Sequence, residues 1–320
     1  MNIAVAVSLP LDCPSLLSVG ESMARSLGGE LFLIHQLVTP TWSSGPSASE
    51  SGGVTDHLYD FSRRELERLI DEREHCRSSR TLGLAEYDSP EGEEEDLVVH
   101  PVVLRSEDGK SFGDSLRSMG VDLLILGLHP TLDRHRLGSF TELALPFCHC
   151  PVLLYPIGCG EGEARAFPPR RVLVADDYGS CGSAGFRLAH DWALKFGASA
   201  VLLCATEGLQ DEDGWHGPYE VTGPVTSTGA VSLDDVLRGS SRDIETYFAS
   251  SEGYPLPELV RNAGDFSADL VIVRGHGETY LDRNWLGDVA PDLVTAADCP
   301  VLILRGPSIS AALSRSELRA

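Results

Sequence analysis

The sequence predicts an α/β protein built from two tandem domains of one kind, each a doubly wound, five-stranded parallel sheet. The first observation is an internal repeat. ARSLGGELFLIH at 24–35 matches ALKFGASAVLLC at 193–204, and VDLLILGLH at 121–129 matches ADLVIVRGH at 268–276. The second observation is that short apolar runs alternate with helical stretches in both copies, which is typical of βα units. A repeat of this length indicates two copies of one fold.

The elements of the first copy follow from these patterns in chain order. Its apolar runs predict strands, and the stretches between them predict the helices that cross from one parallel strand to the next. Continuous runs such as LLILG suit strands that helices cover on both faces. Strands are predicted at 2–8, 30–37, 97–104, 121–127 and 151–155, and helices near 14–27, 57–76, 111–119 and 138–148.

The second copy repeats this order with a shorter middle. The offset is 169 residues between His35 and Cys204 but 147 between Val121 and Ala268, so the first copy holds 22 more residues. CPVLLYP at 150–156 and CPVLILR at 299–305 predict the last strand of each copy. Strands are predicted at 171–176, 199–205, 243–249, 268–274 and 300–305, and helices near 183–196, 256–264 and 287–297.

A chain of 320 residues is long enough for two domains with separate cores. Part of the first copy's excess is an acidic loop at 86–96, which is either a solvated surface or a partner-binding segment. We expect the second helix of the second copy to be short or lost. The predicted division is domain 1 at 1–157, a linker at 158–170, domain 2 at 171–306 and a tail at 307–320.

Composition excludes several classes of function. The formal net charge is -23, and Lys110 and Lys195 are the only lysines, so the acidic surface repels the phosphates of nucleic acids. No apolar run is long enough to span a bilayer, and the amino terminus lacks the basic region of a signal peptide. We therefore expect a cytoplasmic protein that binds neither nucleic acid nor membrane, with reduced and mostly buried cysteines.

In an open parallel α/β sheet, ligands bind beyond the carboxyl ends of the strands, where the strand order reverses. Glycines there let backbone N–H groups approach a phosphate, and a helix amino terminus adds further donors. The predicted site residues are Ser8, Gly127, His129, Gly138 and Ser139 in the first copy, and Asp177, Arg274, Gly275, His276, Gly277, Gly287 and Asp288 in the second.

These residues, together with the repeated Cys-Pro-Val-Leu strand, resemble the universal stress proteins in their tandem two-domain form. The resemblance covers the chain apart from the acidic loop, the linker and the tail. It implies an adenine nucleotide alpha hydrolase-like fold with strand order 3-2-1-4-5, and it implies that the final strands of the two copies pair as an intramolecular pseudo-dimer. The family pattern is Gly, two residues, Gly, nine residues, then Gly with Ser or Thr, and members that carry it bind ATP.

The first copy departs from the family pattern at three places. It keeps Gly127, Gly138 and Ser139, but Pro130 stands at the second glycine. Proline removes a backbone donor and stiffens the loop. Only seven residues separate Pro130 from Gly138, and Ser8 stands where the family has a nucleotide-supporting Asp.

The second copy departs from the pattern at other places. It keeps Asp177, Gly277, the nine-residue spacing and Gly287, but it has Arg274 at the first glycine and Asp288 at the Ser/Thr position. A carboxylate at a helix amino terminus caps the free N–H groups, with a stabilisation of about 1 kcal/mol, and repels a phosphate. Arg274 could pair with Asp288, contact a phosphate or fill the pocket.

Other chemistry-bearing residues favour no catalytic or metal function. Cys148-His149-Cys150 has no metal-binding counterpart in the second copy, so we expect no metal site there. His129 and His276 are either ligand contacts or ordinary loop histidines. The sequence contains no Gly-x-Ser-x-Gly elbow and no P-loop.

The sequence therefore predicts a non-catalytic stress-response protein with degenerate nucleotide-binding motifs, acting through an unidentified protein partner or a small ligand. An ATP or adenine-nucleotide sensor that uses one domain, and a slow ATPase or other hydrolase, stay open as alternatives. ATP is the cofactor that the resemblance implies, and a homodimer through the remaining surface is also open.

Overall fold

A computed structural model of the chain describes a single sheet of ten strands with helices on both faces. The described residues are 1–9, 14–38, 48–81, 97–106, 108–128, 139–157, 168–177, 191–206, 245–251, 255–274, 293–294, 296–297 and 299–304. Among the described helices, none is long and apolar enough to cross a bilayer.

The strands of the first half follow the predicted positions within a few residues, and so do those of the second half. Each consists of a short apolar run whose side chains alternate between the two faces. The bounds are β1 Asn2–Ala6, β2 Glu30–Val38, β3 Val99–Ser106, β4 Leu123–Leu128, β5 Val152–Pro156, β6 Arg171–Asp177, β7 Ala200–Thr206, β8 Glu245–Ser251, β9 Leu270–Arg274 and β10 Val301–Leu304.

The strand order is β3-β2-β1-β4-β5-β10-β9-β6-β7-β8, so each half has the order 3-2-1-4-5 and the predicted fold class is confirmed. All pairs within a half are parallel. The final strands β5 and β10 pair with each other and run antiparallel, with Leu153 opposite Leu302. This junction confirms the expected pairing within the chain and removes two apolar edges from solvent.

The helices follow less closely the bounds that the sequence predicts. Helix α2 begins at residue 48 instead of 57, and α4 ends at residue 144 instead of 148. The predicted helices at 183–196 and 287–297 are described only in part, and the region 207–242 lies outside the described residues. The bounds are α1 Pro14–Ser26, α2 Ala48–Thr81, α3 Gly109–Ser118, α4 Ser139–Ala144, α5 at 191–195 and α6 Pro255–Phe266.

Two apolar cores lie on the two faces of the sheet. Ile3 and Val5 of β1 face α1 and α2, while Ala4 between them faces α3. The same alternation continues in β6, where Val172 and Val174 share the first core. Both cores run through the β5–β10 junction, because residues of both halves belong to each of them.

One part of the repeat differs from the ungapped sequence alignment. Ala6 of β1 pairs with Ile34, whereas its counterpart Ala175 of β6 pairs with Cys204. Cys204 therefore corresponds to Ile34 and not to His35, and the match of His35 with Cys204 is wrong by one residue. Ile34 and Cys204 both face the second core, so burial of the apolar face decides the register.

Candidate ligand site at the carboxyl ends of the strands

The structure brings the predicted first-strand and fourth-strand residues of domain 1 to one edge of the sheet. Ala6 pairs with Leu126, so Ser8, which follows β1, and Gly127, the last but one residue of β4, lie at the carboxyl ends of neighbouring strands. Ser8 is exposed. The preceding residue is held in place, because the Val7 N–H donates to the Ile34 carbonyl at 2.8 Å.

Domain 2 places its equivalent residues in the same way. Ala175 of β6 pairs with Val273 of β9. Asp177 and Arg274, the last residues of these two strands, therefore end at the same edge of the sheet. The backbone position of the pair matches that of Ser8 and Gly127, as the repeat predicts.

Gly127 has a packing role that the sequence did not reveal. A Cβ atom built at this position would lie 2.1 Å from Ile157 Cδ1 and 3.3 Å from Leu16 Cδ2. The contact with Ile157 Cδ1 is far shorter than a van der Waals distance, so a side chain at this position would force the end of the Ile157 side chain to move. A close approach to phosphate is thus not needed to explain this glycine.

The helix that was expected to present phosphate donors in domain 1 ends earlier than the sequence predicts. Helix α4 is described over Ser139–Ala144 and passes into a 3₁₀ turn at Leu145–Phe147. Pro146 has no N–H to continue the α-helical bonding.

The other predicted site residues lie outside the described residues. They are His129, Gly138, Gly275, His276, Gly277, Gly287 and Asp288. Their roles stay predictions from the sequence, as do the departures at Pro130 and Asp288.

Two polar residues at the same edge were missed by sequence reasoning. Gln36 of β2 donates through Nε2 to the hydroxyl of Ser106, which ends β3 and is only 2% exposed. Gln36 Oε1 is buried and has no hydrogen-bond partner among the described residues. On β2 the next residue inward, His35, donates from Nδ1 to the Val7 carbonyl at 3.0 Å. A polar residue ending an apolar run is a weak sequence signal, because many exposed strand ends carry one.

The Cys148-His149-Cys150 segment precedes β5 and lies at the opposite, amino-terminal edge of the sheet. Both cysteines are buried, and Cys148 Sγ donates to the Ala144 carbonyl at 3.3 Å. Burial lowers the pKa of His149, and the nearby Arg117 lowers it further, against a hydrogen bond with Val121 and the charge of Asp122. The described part of the chain holds no group of three His, Cys, Asp or Glu side chains that could bind a metal.

Comparison with known proteins identifies a family for both halves of the chain. The family model of the Universal stress protein family matches residues 1–156 and 169–305. A curated relative, universal stress protein MJ0531 of Methanocaldococcus jannaschii, is 41% identical over 144 residues, which are 43% of this chain and 83% of that protein.

Solved structures with the same fold cover the whole chain at low identity. A protein of unknown function from Pseudomonas aeruginosa, PA1789, is 14% identical with a TM-score of 0.53, covering 100% of this chain and 97% of its own. A universal stress protein from Archaeoglobus fulgidus is also 14% identical, with a TM-score of 0.54 and coverage of 96% and 97%. These likenesses show the fold.

Proposed function

The chain belongs to the universal stress protein family, and we propose that it is a non-catalytic stress-response protein that does not hold ATP tightly. In this proposal it acts through protein partners or another small ligand. Both domains keep the family fold, while the nucleotide-binding pattern is altered in each of them at different positions.

The observation that supports this proposal most is the altered strand-end pattern of domain 1. Helix α4, whose amino terminus would hold a phosphate, passes into a 3₁₀ turn after Ala144. Gly127, the retained glycine of the pattern, is packed against Ile157 and Leu16. Together with Pro130 and the shortened spacing, these features do not fit a tight triphosphate site in this domain.

Domain 2 supports the same conclusion through its sequence. Asp288 replaces the hydroxyl residue of the pattern, and its negative charge opposes a phosphate at that position. Arg274 replaces the first glycine, so backbone N–H groups lose the room that glycine gives them.

Native mass spectrometry of the freshly purified chain tests the proposal. We expect the mass of the chain without an adenine nucleotide, and co-purifying proteins or a different small molecule would identify how it acts. An adduct with the mass of an adenine nucleotide on most molecules, retained through purification, would refute the proposal.

A nucleotide sensor that uses domain 2 is the second candidate. It is favoured by Asp177, which ends β6 beside the end of β9, where the family resemblance places a nucleotide-supporting Asp. Equilibrium titration with adenine nucleotides decides this case. Binding that disappears in Asp177→Ala and persists in Ser8→Ala supports a site in domain 2, whereas equal binding by both variants excludes it.

A further inference from the structure

We draw no further inference here: the strongest candidate, the exposed apolar pair Leu58 and Phe61 on helix α2, carries no proposal because nothing in the part of the chain that the structure describes shows what covers it.

Discussion

The carboxylate of Asp122 accepts a hydrogen bond from the backbone N–H of Asn2 at 2.8 Å, and the second half repeats this contact. There Asp269 accepts from the backbone N–H of Arg171 at 2.9 Å. In both halves the aspartate N–H also donates to the carbonyl of the same residue, at 2.8 Å. The first residue of the first strand is thus tied to the start of the fourth strand in each domain.

Replacing either aspartate should therefore destabilise its domain. We expect Asp122→Ala and Asp269→Ala each to lower the free energy of unfolding by about 1 to 2 kcal/mol, because each leaves a strand-end N–H without its acceptor. Urea denaturation measures this change. Asp114→Ala, which removes an exposed carboxylate on α3, is the control and should change stability by less than about 0.5 kcal/mol. Equal effects of Asp122→Ala and Asp114→Ala would contradict the role of the contact.

The ends of α3 and α6 give a second prediction, because they make the same turn with different residues. Gly120 has a φ of 64°, and its counterpart Ser267 has a φ of 52°. A side chain in this left-handed region is strained, so Ser267→Gly should raise the free energy of unfolding by about 0.5 to 1 kcal/mol, and Gly120→Ser should lower it similarly. Thermal unfolding of the two variants checks the opposite signs, and shifts of the same sign would be inconsistent with this account.

Gly127 gives a third prediction, concerning the strand-end site. Gly127→Ala should destabilise the chain by about 1 kcal/mol, because its Cβ would overlap Ile157 Cδ1 and force that side chain to move. Ile157→Ala creates the missing space, so Gly127→Ala should cost much less in that background. A double-mutant cycle by urea denaturation measures the coupling. Additive effects would mean that Ile157 is not what requires the glycine.

His149 gives a prediction about pH. Burial first, and then the charge of Arg117, lower the pKa of His149 below its ordinary value of 6.5, so the folded chain binds the proton more weakly than the unfolded chain. The contribution of neutral His149 to the free energy of unfolding is therefore fully present above about pH 6.5. It is lost as the pH falls through the lowered pKa of the folded state. His149→Gln should flatten that part of the stability profile. An unchanged profile in His149→Gln would disprove the assignment.

The fold could be predicted from the sequence because the strands are apolar runs that recur in both halves. Leu123 to Leu126 and Leu270 to Val273 are recognisable as buried strands from composition alone, and the resemblance supplied their order. The antiparallel contact of Leu153 with Leu302 also came from the resemblance, since an apolar edge shows that pairing is needed but not which partner pairs.

The structure differs from the sequence-based predictions where a local sequence pattern competes with tertiary packing. Ile34 and Cys204 occupy equivalent places because both face the same core, although the best ungapped alignment pairs Cys204 with His35. The early end of α4 has a visible cause in Pro146, which sequence reasoning did not apply. The contact of Gln36 with Ser106 joins residues 70 positions apart, and neither residue alone suggests it.

Calorimetric titration of magnesium-ATP into the full chain tests the central claim most directly. The claim is that both domains keep the family fold while their strand-end sites no longer bind ATP tightly. The account predicts no saturable heat at ATP concentrations up to about 1 mM, where a dissociation constant corresponds to a binding free energy of about −4 kcal/mol. A saturable isotherm with a dissociation constant in the micromolar range, at either one or two sites per chain, would contradict it.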